Sequence, residues 1–153
     1  MTQSDALHAG DGAGHAPRRP ARHLPAAARL LMGLMFFVFG LNGFLNFIPQ
    51  PKEPMPEGAV AFAGALMQTG YMMPLVMGTQ LIVGVLLLAN RFVPLALALI
   101  APIIVGIVSF HLFLAPATIG PGVGVLVLEL YLAWCYRSAF RPMLAVRAIP
   151  GGR

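Results

Sequence analysis

Charge is scarce in this chain. Only 10% of its 153 residues are Asp, Glu, Lys or Arg, whereas 58% are hydrophobic. Soluble domains carry about 25% charged residues, so the composition excludes an ordinary soluble protein and indicates a membrane protein. The 10 basic residues lie at the ends of apolar runs and form no patch, so the net charge of +5 does not indicate nucleic-acid binding.

Cysteine is almost absent as well. Cys135 is the one thiol, which excludes an internal disulfide and a dithiol relay. No cluster has metal-ligand spacing, no glycine loop is placed to bind phosphate, and no serine has a nucleophile context. We therefore expect no metal site and no covalent cofactor. If the protein handles electrons, the carrier is a separate molecule such as a quinone or a partner subunit.

Long apolar runs dominate the sequence instead. The longest lies between Arg91 and Pro116 and has no polar side chain from Phe92 to Val108. A helix rises about 1.5 Å per residue, so this run spans roughly 30 Å, the thickness of the hydrocarbon core of a bilayer. Similar runs occupy three further ranges, 30–48, 71–89 and 121–140. The pattern predicts an all-α protein, an integral membrane four-helix bundle.

The connection between the first two spans is rich in proline. Prolines at positions 49, 51, 54 and 56 disfavour a regular helix there, and a short apolar stretch from Ala59 to Thr69 follows. A helix of that length is too short to cross a bilayer. We predict a short interfacial or re-entrant helix between spans one and two, which either covers the bundle or is an inert surface clip.

Basic residues are distributed unevenly between the two ends of the spans. Four spans place both termini on one side together with all nine arginines, and Lys52 is the only basic residue on the other side. The positive-inside rule then predicts that both termini are cytoplasmic. The predicted organisation is a disordered cytoplasmic tail (1–28), a four-helix transmembrane domain (29–140) and a basic cytoplasmic tail (141–153).

Five polar side chains inside the spans are the candidate site residues: His111, Glu129, Asn42, Asn46 and Gln80. An ionisable group in hydrocarbon costs about 2.5–3.5 kcal/mol, which pairing, protonation or access to water must offset. The helix directions predict one polar line inside the bundle, opening outward beneath the short helix, that binds a ligand or handles protons. The alternative is that these groups tie helices together through interhelical hydrogen bonds.

Small residues mark helix faces that approach other helices. Gly33, Gly40 and Gly43 project from span one roughly opposite its two asparagines, and Gly84 leaves space beside Gln80 on span two. In membranes such small-residue faces favour close helix packing. The pattern therefore predicts that span one has protein on both sides.

Four motifs resemble the DoxX-type membrane proteins: GLNGFLNFIPQP, QTGY, NRFVPLAL and FHLFLAP. The resemblance covers roughly residues 29–137 and implies a DoxX-like bundle in the bacterial cytoplasmic (inner) membrane. The family name comes from a small subunit associated with a quinol oxidase or a thiosulfate:quinone oxidoreductase, and most members have no established activity. Gln80 stands where the family often has a glutamate, and Gly106 where many relatives have an asparagine.

Three functions of different classes remain open at this point. The first is a redox-associated subunit, at most an accessory of a membrane oxidoreductase, that binds quinone or a similar apolar molecule near His111, Asn42 and Asn46. The second is a non-catalytic scaffold or anchor for a partner redox protein. The third is a carrier of a small solute or lipid, which would require a homodimer. All three place the chain in a lipid bilayer.

Overall fold

Helices account for nearly all of the structure. The computed structural model describes residues 23–49 and 54–144, and in these two ranges there are helices and turns but no strand. The α-helices are α1 (Leu24–Leu45), α2 (Glu57–Gln68), α3 (Met72–Leu88), α4 (Val93–Phe113), α5 (Ile119–Cys135) and α6 (Arg137–Phe140). A 3₁₀ turn, Pro116–Thr118, precedes α5. The predicted all-α class is therefore confirmed for the described residues.

Three of the helical segments are long and apolar enough to cross a membrane. They are α1, α4, and α5 together with the turn before it. Helices α2 and α3 pass the same test only as a pair, which is bent by 91° at the break between them. Residues 23–49 and 54–144 therefore contain three candidate spans, or four if the bent pair counts as one.

The boundaries of α1 differ from the predicted ones. The helix begins at Leu24, inside the range predicted as a tail (1–28), and a proline stands in its first turn. It ends at Leu45, before the predicted end at Ile48, because Asn46 adopts the left-handed conformation with φ of 50°. The apolar run of span one thus continues to Ile48, beyond the end of the helix at Leu45. The predictions for residues 1–22, 50–53 and 145–153 lie outside the described residues.

Helices α1 and α3 are antiparallel and pack backbone against backbone. A Cβ atom added at Gly40 would lie 2.5 Å from the backbone nitrogen of Leu81, and one added at Gly84 would overlap the backbone of Phe37. Only glycine permits such an approach, because side-chain carbons do not come this close to a backbone. The small-residue face predicted for span one is therefore filled by α3.

The other two long helices complete the packing. Helix α4 contacts both α3 and α5, and α1 also contacts α5. The turn from α3 into α4 is tight, with Asn90 and Phe92 both in the left-handed region. Fully buried side chains from all four helices meet in one core: Met32, Val83, Leu87, Leu97, Ile100, Ile104 and Leu132.

The packed unit has two ends. The terminal end is where α1 and α4 begin and α3 and α5 end; the loop end is where α1 and α4 end and α3 and α5 begin. Helix α2 lies against the loop end of α4: the rings of Phe62 and Phe110 are 5.9 Å apart, and Gly58 lies beside Leu114. The short helix predicted after the prolines is thus present and covers the end of α4.

Candidate functional site

The two asparagines of span one, Asn42 and Asn46, form hydrogen bonds at the C-terminal end of α1. The Oδ1 atom of Asn42 accepts a hydrogen bond from the backbone N–H of Ile48 at 2.7 Å. Asn46 is exposed, and its N–H donates to the Asn42 carbonyl at 2.8 Å. Asparagine tolerates the left-handed conformation that ends a helix. These contacts end α1 after Leu45 and do not extend a polar line into the interior.

His111 lies at the loop end, where its ring contacts the start of α5. Its Nδ1 atom is 2.9 Å from the hydroxyl of Thr118, and that hydroxyl donates to the Ala115 carbonyl at 3.0 Å. A hydroxyl has a single hydrogen, so the neutral ring donates from Nδ1 and keeps the lone pair on Nε2. The ring also lies over Gly122, where an added Cβ would come within 3.2 Å of Cδ2. Glycine at that position makes room for the imidazole.

Gln80 is buried on α3. Its side chain is 7% exposed, and it shares a helix face with Gly84, four residues further on. Gly84 packs directly on the backbone of α1. The amide of Gln80 therefore lies on the side of α3 that faces α1.

Glu129 lies in α5 at a groove between α4 and α5. The residue is 7% exposed, and its Oε2 atom is fully enclosed with no hydrogen-bond partner among the described residues. The groove has a volume of about 330 Å³. Three alanines, Ala98 and Ala101 on α4 and Ala133 on α5, line it together with Phe140 beyond the end of α5. Small side chains opposite one carboxyl group thus leave space for a molecule.

The other lining side chains of the groove are all hydrocarbon. Two of them, Val105 and Leu130, are 60% and 61% exposed. Because these two side chains belong both to the groove and to the outer surface of the helices, the groove opens sideways. In a membrane-spanning protein that surface faces lipid, so an apolar molecule has direct access from the bilayer.

Pro102 interrupts the backbone hydrogen bonds of α4 beside the groove. It lies inside α4 and has no N–H, so the carbonyl of Ala98 lacks the donor that the helix normally supplies four residues later. Ala98 lines the groove. The α4 side therefore has a backbone acceptor that is free of its usual helical bond.

Arg29 is a buried polar residue that was not among the predicted site residues. It is 8% exposed, and its guanidinium donates to the carbonyl of Leu87, in the last turn of α3. A cation at a helix C-terminus interacts favourably with the helix dipole. The contact ties α1 to α3 at the terminal end. Its sequence signal is an arginine that follows three alanines, directly before a long apolar run.

The five predicted site residues thus do not form one connected line. Across the described parts of the chain, no side-chain hydrogen bond joins any two of them, and the one bond between two members is the backbone bond from the Asn46 N–H to the Asn42 carbonyl. His111 belongs to the loop end, both asparagines cap α1, Gln80 faces α1, and Glu129 alone lies in the groove. In the described part of the chain, the groove beside Glu129 offers space for an apolar molecule. Comparison with protein-family models, curated proteins and solved structures found no match.

Proposed function

We propose that the chain is a redox-associated membrane subunit that holds quinone, or a similar apolar molecule, in the groove between α4 and α5. The observation that carries this proposal is the Oε2 atom of Glu129, which is enclosed, has no hydrogen-bond partner among the described residues and lies beside an apolar space of about 330 Å³. An unpaired buried polar group is costly and calls for an explanation. A bound molecule that pairs with Glu129 supplies one.

The redox assignment draws on the DoxX-like motifs and on the sideways opening of the groove. Quinones dissolve in the hydrocarbon core, so a site that opens to lipid suits them better than one that opens to water. The groove volume lies at the lower end of the range of about 300–1,000 Å³ typical of small-molecule sites. Its lining of hydrocarbon side chains with one polar group is also typical of such sites.

We further propose that the protein spans the bacterial cytoplasmic membrane four times, with α3 as the second span, α2 as a short interfacial helix and both termini in the cytoplasm. Arg91, Arg137 and Arg141 all lie at the terminal end, as the positive-inside rule requires of the cytoplasmic side. Trp134 is 69% exposed there, and the Arg137 guanidinium lies 4.9 Å from its ring centroid. Such an aromatic–basic pair is typical of a membrane interface.

A specific observation also favours a second candidate, the non-catalytic scaffold or anchor. Three polar side chains within the spans, those of Arg29, Asn42 and His111, are hydrogen-bonded to the protein's own backbone or to a neighbouring side chain. These polar groups therefore stabilise helix ends and turns. If Glu129 also proved to have a hydrogen-bond partner within the protein, the structure would favour the scaffold or anchor over a ligand-binding subunit.

The test is to purify the full chain from bacterial membranes in mild detergent and to extract it with organic solvent. We expect near-stoichiometric quinone in the extract. Ala101→Leu and Ala133→Leu fill the groove and should remove the quinone. Ala27→Leu makes the same change at an exposed position in the first turn of α1 and should retain it.

Extracts of the unaltered protein without quinone would contradict the proposal and favour the scaffold. Equal quinone in the Ala133→Leu and Ala27→Leu proteins would contradict it too, because quinone would then be bound elsewhere on the surface. Gel filtration of each variant establishes that a loss of quinone is not a loss of folding.

A further inference from the structure

We infer that the protein holds one anionic phospholipid at its terminal end, with the phosphate bound by Arg137 and Arg141 and one acyl chain in the groove between α4 and α5. A lipid bound there goes beyond the proposed function, because it involves no redox chemistry and uses two arginines that do not line the groove. The shape of the groove, the position of the two arginines and the charge of the terminal end all support this site.

The groove runs along the helices and suits a hydrocarbon chain. Its lining residues lie within 97–105 on α4 and 126–133 on α5, which at about 1.5 Å per residue is a length of roughly 10–12 Å. All of the lining side chains except that of Glu129 are hydrocarbon. Lipid chains run roughly parallel to membrane-spanning helices, so an acyl chain can enter the open side of the groove lengthwise. Burial of such a chain requires no polar contact within the groove.

Two arginines lie beside the groove where it reaches the terminal end. Phe140, in the short helix α6, lines the groove there. Arg137 precedes Phe140 by three residues, and Arg141 follows it directly and is still in a right-handed helical conformation. Side chains three or four positions apart share one helix face, with Cβ atoms about 5–6 Å apart. Both arginines are exposed, so a phosphate at this end of the groove can contact both.

The environment of Arg137 is that of a lipid headgroup region. Its guanidinium lies 4.9 Å from the ring centroid of the largely exposed Trp134 and donates to the Trp134 carbonyl at 3.0 Å. Tryptophan is enriched at the membrane interface, which is where the phosphates of a bilayer lie. The contact with Trp134 orients the guanidinium and uses one of its N–H donors, so that others remain for a phosphate.

The charge of the terminal end favours an anionic lipid over a zwitterionic one. All four arginines within residues 23–49 and 54–144 lie at that end. The two acidic residues of these ranges lie elsewhere, because Glu57 begins α2 at the loop end and Glu129 lies within α5. An arginine near anionic lipid contributes about a 5-fold factor in affinity. We therefore expect Arg137 and Arg141 together to give a preference of about 30-fold.

The test is native mass spectrometry of the delipidated full chain in detergent. The chain is titrated with dioleoylphosphatidylglycerol, with dioleoylphosphatidylcholine, or with glycerol 3-phosphate. The two lipids have the same acyl chains, and glycerol 3-phosphate has the phosphate without them. We expect one phosphatidylglycerol per chain, bound about 30-fold more tightly than phosphatidylcholine. Glycerol 3-phosphate should not bind at the same concentrations.

Matched variants test the two parts of the lipid separately. Arg137→Gln combined with Arg141→Gln should remove the preference for phosphatidylglycerol, whereas Arg137→Lys combined with Arg141→Lys keeps the charge and should retain most of it. Arg91→Gln changes an exposed arginine at the same end, in the turn between α3 and α4, and should retain the preference. Ala133→Leu fills the groove and should weaken binding of phosphatidylglycerol about 10-fold or more, whereas Ala27→Leu should not.

Three results would overturn the inference. The first is equal binding of the two lipids, or binding of glycerol 3-phosphate as tight as that of phosphatidylglycerol. The second is a lipid preference that persists when both arginines are replaced by glutamine. The third is unchanged binding in a folded Ala133→Leu protein, because the acyl chain would then lie outside the groove.

The acyl chain and a quinone would occupy the groove in turn, and the two sets of experiments fail independently. Glu129→Leu should lose quinone and keep phosphatidylglycerol, whereas the double glutamine variant should lose phosphatidylglycerol and keep quinone. Quinone in the extract without a lipid preference means that this inference is wrong and the proposed function stands. A lipid preference that Ala133→Leu removes, in a protein whose extract contains no quinone, means the reverse.

Discussion

Replacing Glu129 by leucine is expected to stabilise the ligand-free protein. The Oε2 atom of Glu129 is enclosed and has no partner among the described residues, and an unsatisfied buried polar group costs about 1–3 kcal/mol. Leucine removes that cost and adds a hydrocarbon side chain to a groove whose other lining is already apolar. We therefore expect the free energy of unfolding to rise by about 1–3 kcal/mol.

The assay is reversible unfolding of delipidated protein in mixed micelles with increasing SDS, followed by circular dichroism or by the fluorescence of Trp134, the single tryptophan. Arg29→Met is the control, for which we expect the free energy of unfolding to change in the opposite direction. Arg29 is as buried as Glu129, but its guanidinium donates to the Leu87 carbonyl. Losing a hydrogen bond from a charged group costs about 1.5–3 kcal/mol, so this variant should be less stable.

A loss of stability in Glu129→Leu would refute the reasoning. It would mean that the carboxyl group makes a structural hydrogen bond, and the case for a ligand in the groove would lose its main support. A gain in stability together with loss of bound quinone would be the expected signature of a residue retained for binding at the expense of folding.

Three further variants test the packing and the polar contacts. Gly84→Ala forces a Cβ into the α1 backbone and should cost about 1–3 kcal/mol or more, whereas Gly106→Ala has no neighbour within 4 Å and should be neutral or slightly stabilising in the same SDS titration. Asn42→Ala removes the acceptor for a backbone N–H beyond α1 and should cost about 1 kcal/mol; unchanged stability would show that this bond contributes nothing. Thr118→Val removes the acceptor for His111 Nδ1, so ¹⁵N NMR should show a dominant Nδ1–H tautomer only in the unaltered protein. A dominant Nε2–H form there would contradict the hydrogen-bond assignment.

Much of the helical framework follows from the sequence because it depends on local properties. Apolar length predicted the positions of α3 and α4 to within a few residues, and the prolines predicted that only a short helix would follow span one. Helix ends were less predictable. Asn46 stops α1 within an apolar run, and α5 ends at Cys135 rather than at the predicted Phe140, because both ends depend on turn conformations that hydropathy does not encode.

The candidate site was predicted only in part. Glu129 stood out because an ionisable group in hydrocarbon is costly wherever it lies, and Ala133 shares its helix face. The sequence could not show that Ala98 and Ala101 of another helix leave a space opposite. It also placed Asn42 and Glu129 on one polar line, although the asparagine side chain bonds to the backbone six residues further on.

The sequence by itself determined that this chain is helical and enters a membrane, because length and hydropathy are properties of each segment alone. It also determined at which positions glycine allows two helices to make close contact. It determined as well at which position the free-energy cost of a carboxyl group in hydrocarbon must be offset. Only the tertiary structure decided which polar groups already have partners, because that depends on how helices distant in sequence are paired and rotated. By that criterion Arg29 and Asn42 are structural, and Glu129, whose Oε2 atom has no partner among the described residues, becomes the place to look for a ligand.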